Sequence, residues 1–199
     1  MRRAVASAAI VIAAMGLGRL ITDHLPTTET ADKPFFHDGA VGSPVALDYA
    51  DVTVTGVHVT PTIMGNPASA AGGRWLVVDL ELKARHSPTS MAGFFLVDAN
   101  DRRWIASSRG PECATAANLS TGVRHWASIC FDVPKEALAD ARLMATRGAW
   151  DSHEAQFRRD DVARVDLGIA GSEVDALWAQ KDAVNVKEAG PVPPEEAQR

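Results

Sequence analysis

The chain has 199 residues, a hydrophobic fraction of 46% and a formal net charge of −5. Once a targeting segment is set aside, that leaves room for one core of ordinary size. The acidic balance and the lack of a long basic stretch disfavour a nucleic-acid partner, which needs clustered Lys and Arg.

At the amino terminus Arg2 and Arg3 precede a run from Ala4 to Gly18 in which Ser7 is the one polar residue. Positive charge followed by an apolar stretch is the form of a segment meant for a translocon and a bilayer. Residues 1–22 are therefore expected to be an uncleaved signal anchor, a single transmembrane helix that ties the protein to the cell membrane. Its N-terminus would face the cytoplasm, and the remainder of the chain would be extracytoplasmic. Arg19 can snorkel to the interface while Leu20 and Ile21 extend the apolar face. Small-x-small geometry at Ala14–Gly16 and Gly16–Gly18 leaves open the alternative, secretion after signal cleavage.

Residues 23–42, with Pro26, Pro34 and many Thr, Asp and Glu, are expected to be a polar linker. The texture from 43 to 170 is that of a β-domain. Val52 and Val54 alternate with Thr53 and Thr55, and after Gly56 the apolar set shifts to Val57 and Val59, the phase slip of a β-bulge. Pro61 to Gly73 reads as a loop. From Trp75 to Ala84, Leu76, Val78, Leu80 and Leu82 point one way while Asp79, Glu81 and Lys83 point the other, as on a half-buried antiparallel strand. Phe94–Val97 and Arg103–Ala106 flank a turn at Asp98–Asp101. Another strand runs from Gly122 to Pro134, with Ala127, Ile129, Phe131 and Val133 on one face; Pro134 can open a single helical turn. Ala141–Thr146 and Val162–Ile169 complete the set. These short strands between Gly/Pro/Asn loops predict an all-β, antiparallel β-sandwich. In residues 171–199, Ser172 can cap a short C-terminal helix to about Lys181, followed by a disordered tail from Glu188 to Arg199.

Several motifs carry a resemblance. They are Gly42-x-x-Val45, the Gly73-Arg-Trp-Leu-Val-Val-Asp79 strand, the Val97-Asp98 hairpin closing at Asp101, the Ser120-Thr-Gly122 turn, Phe131-Asp132-Val133-Pro134, and Val165-Asp166-Leu167-Gly168. Over roughly Val41 to Ile169 the chain resembles the telokin-like, immunoglobulin-like secreted or membrane-anchored bacterial domains of unknown function. The resemblance implies an immunoglobulin-like fold and an envelope address; it supplies no active-site residues.

The two cysteines, Cys113 and Cys130, fall in the exported part and are expected to form a disulfide bond pinning a loop to the sheet surface, the redox-active alternative lacking a close C-x-x-C spacing. Six histidines (His24, His37, His58, His86, His125 and His153) show no metal-ligand spacing, although His58 and His125 could approach across a sheet; no metal and no cofactor are expected. No G-x-S-x-G elbow occurs, so no catalytic residue is assigned. Asp98, Asp101, Asp160 and Asp161 fall in predicted turns, where Asp favours local hydrogen bonds over acid–base work or calcium. Trp75 and Trp126 fall on the polar phase of their strands and, with Trp104, offer a possible binding surface. The same rings could instead be covered by the Cys113 loop or by the C-terminal helix, whose Val174, Leu177 and Trp178 form an apolar stripe. The expected function is that of a non-catalytic binding or scaffold module of the bacterial cell envelope with a protein partner there. Recognition of carbohydrate or cell wall through exposed Trp is the alternative, and an exported enzyme or metal-binding protein is less favoured.

Overall fold

A computed structural model describes residues 2–25, 33–65, 67–110, 112–148, 159–186 and 188–192, with side chains from residue 12 onward. Trp150, His153 and the last seven residues of the tail lie outside the described residues, as do residues 26–32 of the expected linker. The chain divides into two compact units, residues 1–33 and 34–199. The first holds helix α1, Arg2–His24. Ile12, Met15, Leu17, Leu20 and Ile21 on it are exposed. Among the described residues no helix is long and apolar enough to cross a membrane, so the span over residues 1–22 stays an expectation from sequence.

The second unit is a β-sandwich. Its first sheet has the order β1 (Phe35–Ala40), β11 (Asp161–Asp166), β10 (Arg142–Thr146), β6 (Gly93–Val97) and β7 (Arg103–Ile105). The second has the order β12 (Val184–Asn185), β3 (Ala50–Met64), β4 (Ser69–Ala84), β9 (Arg124–Val133) and β13 (Gly190–Pro191), with β2 (Val45–Ala46) also paired to β3. A separate ribbon joins β5 (Thr89–Met91) to β8 (Ala117–Leu119). The longer strands thus divide as β3, β4 and β9 in one sheet and β6, β10 and β11 in the other.

Alternation decides what enters the core. Leu76, Val78, Leu80 and Leu82 of β4 meet Ala127, Ile129, Phe131 and Val133 of β9 on the inner face. Phe94, Leu96, Leu143, Ala145, Ala163 and Val165 oppose them from the first sheet. The register of β3 against β4 shifts between Val54 and Gly56, at the expected bulge. A second shift between Thr60 and Thr62 carries the hairpin on to Met64 and Ser69, where the Pro and Gly content had suggested only a loop. Helix α2, Ser172–Trp178, packs its Val174, Leu177 and Trp178 against the core as the apolar stripe predicts. It ends before Lys181, and Ser172 is its first helical residue rather than its cap.

Two stretches differ from expectation. Phe35–Ala40, assigned to the linker, is a strand paired in parallel with β11, from Phe35 opposite Asp161 to Ala40 opposite Asp166. Being an edge strand held by its backbone, it lacks the apolar alternation that would have revealed it. The tail after α2 supplies β12 and β13, each too short for a periodic pattern.

Candidate functional site

The outer face of the second sheet is where the sequence placed its polar-phase tryptophans, and its geometry follows from register. Across β3, β4 and β9 the rows read Thr60–Trp75–Asp132, His58–Val77–Cys130, Gly56–Asp79–Ser128 and Thr53–Glu81–Trp126. Trp75 and Trp126 thus share one face but are six ladder steps apart, about 20 Å at strand rise. Trp104 belongs to the other sheet, on β7, where it packs half-buried against the main core. The three rings do not form one surface.

At the Trp75 end the face is covered. Trp75 is 0% exposed and clusters with Ile63, Val77, Cys130 and Val186, with Ala71 and Cys113 packed alongside. Its indole N–H donates to the Ser69 carbonyl at 3.0 Å, and the Arg109 guanidinium lies 5.3 Å from its ring centroid. Cys113 and Cys130 are bonded, with Cα atoms 5.6 Å apart. The disulfide fastens the segment around residues 107–114 over the sheet. The covering reading of these aromatics holds for Trp75, which leaves the candidate binding surface.

Asp132 ties the cover to the β3–β4 hairpin. Its carboxylate accepts the Gly72 and Gly73 N–H groups, each at 3.0 Å, and the Arg109 guanidinium. Burial alone would raise its pKa, but these donors outweigh it and hold the carboxyl below its ordinary range. A Cβ on Gly73 would stand 2.3 Å from the Val133 carbonyl oxygen, so only glycine lets the backbone reach this carboxylate.

The acidic pairs behave as turn and framework groups. Asp98, fully buried, accepts N–H groups from Asn100 and Arg102 and side-chain bonds from Arg102 and Trp104. Burial pushes its pKa up, yet these donors pull it below the usual carboxylate value. Asp101 sits at φ 57 in that turn, a conformation Asp tolerates. Asp160 forms a two-bond pair with Arg147. Asp161 accepts the Asp48 N–H at 2.6 Å and lies 3.1 Å from His37 Nε2; against burial, those contacts lower its pKa. Tyr49, the single tyrosine, donates to the Asp161 carbonyl at 2.7 Å and accepts the Arg147 N–H at 3.0 Å. Burial pushes its pKa up to about 12.

One constellation resembles catalytic machinery in composition. Ser128 Oγ donates to Asp79 Oδ1 at 2.5 Å, and Asp79 Oδ2 lies 3.1 Å from His58 Nε2. The carboxylate stands between serine and imidazole, whereas activating a serine requires the imidazole in the middle. His58 and His125 do not meet. His58 is level with Cys130, five residues along β9 from His125, and buried His125 Nε2 accepts the Ser120 N–H at 3.3 Å. Among the described residues no group of three or more His, Cys, Asp or Glu could hold a metal ion.

At the Trp126 end the face is open. A groove of about 200 Å³ is lined by Ala116, Ala117, Asn118, His125, Trp126, Ala189 and Gly190. Trp126 is half-buried in it, Asn118 is exposed on β8, and no charged side chain lines it. The groove therefore sets Trp126 and Asn118 among small residues, with His125 next to Trp126 on the strand but in the opposite phase. Sequence reasoning found Trp126 but not the groove, whose far wall comes from the tail.

No protein-family model matches the chain, and no curated protein matches it. Among solved structures, the yjhA protein from Bacillus subtilis is similar at 15% identity and TM-score 0.46, covering 64% of this chain and 99% of that one. An uncharacterised β-sandwich protein from Clostridium difficile 630 is similar at 8% identity and TM-score 0.34, covering 67% of this chain and 96% of that one. The fold assignment rests on the strand pairings themselves.

Proposed function

We propose that this protein is an extracytoplasmic, telokin-like binding or scaffold module held at a bacterial cell membrane by its amino-terminal helix. The observation that supports the address most strongly is the Cys113–Cys130 bond, because disulfides persist where the compartment is oxidising. The Arg2-Arg3 and Ala4–Gly18 leader agrees with it. Binding rather than catalysis is favoured by the saturation of the carboxylates. Asp98, Asp132 and Asp161 are committed to backbone N–H groups and kept ionised, the reverse of a general acid. A protein partner at the envelope is the first reading. The groove beside Trp126, whose lining includes no Asp, Glu, Lys or Arg, favours a second, recognition of a saccharide by ring stacking.

The test is fractionation of bacteria expressing the full chain, with protease added to intact spheroplasts. Membrane-bound protein, cut from outside and carrying the Cys113–Cys130 linkage by mass spectrometry, is expected; a cytosolic pool with two free thiols overturns the address. Solubilised full chain is then used as bait against envelope proteins and cell-wall saccharides. Capture of neither, together with turnover of a hydrolase substrate, overturns the binding assignment.

A further inference from the structure

The free edge of β9 is sealed by segments from far along the chain. The Cys130 carbonyl accepts the Ser107 N–H at 2.8 Å, and the Ser128 carbonyl accepts the Ala114 N–H at 2.9 Å. Next along the edge, Gly190 pairs with Trp126 and Pro191 with His125. Finally the Arg124 carbonyl accepts the Val192 N–H at 2.8 Å. An unsealed row of such groups is a template for another chain.

The two seals differ in how they are held. Ser107 and Ala114 flank Cys113, so the disulfide to Cys130 fixes that half of the edge covalently. The other half is closed by three residues of the tail. Pro191 has no N–H to give, so on the tail's side the buried Val192 supplies the final backbone bond, to the Arg124 carbonyl. Before it, the tail is anchored separately: Thr60 Oγ1 donates to the Asp182 carbonyl at 2.7 Å, β12 pairs with Ile63 and Met64, and Val186 packs beside Trp75. The Gly190–Val192 seal can therefore open without disturbing the cover over Trp75.

We propose that the β9 edge at Arg124–Trp126 is a strand-accepting interface. The chain's own Gly190–Val192 fills it in cis, and the same segment of a second copy fills it in trans. The occupant is named by what is already seated there. A second copy brings glycine against Trp126 and a buried valine in the same register, and so needs no new complementarity, the condition under which strand exchange costs least. Tethering in cis gives the internal segment the advantage of a high effective concentration. Exchange therefore prevails when the internal seal is weakened or copies are crowded together.

The test uses the full chain in mild detergent and a fluorescently labelled synthetic peptide of sequence Glu188–Arg199. Val192→Asp places a carboxylate at the buried valine position and should unseat the internal strand. That variant is expected to bind the peptide about tenfold or more tightly than the wild type, whose edge is occupied. A peptide carrying the same Val→Asp change should not bind, and wild-type chain crowded to high concentration should form a dimer by size-exclusion light scattering that the variant does not. Should Val192→Asp lose the near-UV signal of its tryptophans, a chain ending at Ala189 replaces it with the same expectations. Equal peptide affinity in wild type and open-edge chain, no binding to the open edge, or no dimer of the crowded wild-type chain each overturns the proposal.

Discussion

The two ends of one sheet face have opposite fates. Trp75 and Trp126 occupy the same phase on neighbouring strands, yet the first is inaccessible and the second borders an open groove. Strand alternation fixes which face a side chain joins; it does not fix whether that face is covered. Coverage at the Trp75 end comes from Cys113, Ile63 and Val186, which are remote from Trp75 in sequence and brought together by a disulfide, a bent hairpin and a tail. Stability should therefore concentrate at one end of the face and recognition at the other.

The largest effect expected is from Trp75→Ala. Removing a fully buried indole leaves a cavity beneath a pinned loop that cannot collapse into it, so a loss of about 3–5 kcal/mol is expected in urea unfolding. A loss below about 1 kcal/mol would mean that the cover contributes little and would erase the contrast between the two ends. Next comes the cover's own fastening. Replacing Cys113 and Cys130 by serine opens a loop with a sequence separation of 17, and a cost of about 3 kcal/mol is expected. Tryptophan emission should shift to the red as water reaches Trp75; unchanged emission would show that Val186 and Ile63 suffice as cover.

A smaller, pH-dependent effect belongs to Asp132. Its folded pKa lies below the unfolded value of about 3.9. The stability it adds is therefore complete above that value and is lost as pH falls through the folded pKa. Asp132→Asn should cost about 1–3 kcal/mol at neutral pH and flatten the fall in stability below about pH 4. Parallel acid-unfolding curves for the two proteins would remove Asp132 from the fastening.

These expectations also mark what was legible in the chain. Leu76 to Leu82 and Ala127 to Val133 declare the core because each strand is half buried, and the bulge at Gly56 shows as a phase slip. Asp98 reads correctly as a turn residue because its partners Asn100 and Arg102 are local. Cys113 and Cys130 read correctly because the sequence holds two cysteines, which have only each other to pair with. Phe35–Ala40 and Gly190–Pro191 do not show, since both are edge strands defined by a distant partner rather than by a pattern of their own. The groove at Trp126 inherits that difficulty, because Ala189 and Gly190 form its far wall.

The smallest stability effect is expected at the open end, where it is most diagnostic. Trp126 is half-buried and sits above the sheet rather than within the core, so Trp126→Ala should change unfolding by no more than about 1 kcal/mol. It is nevertheless the one large apolar residue among those that line the groove. If the groove takes a saccharide, the same substitution should abolish retention on cell-wall material while leaving the melting curve nearly unmoved. If a protein partner docks elsewhere, capture from solubilised envelopes should survive it. A variant that lost several kcal/mol would instead make Trp126 a second Trp75, and both ends of the face would then be framework.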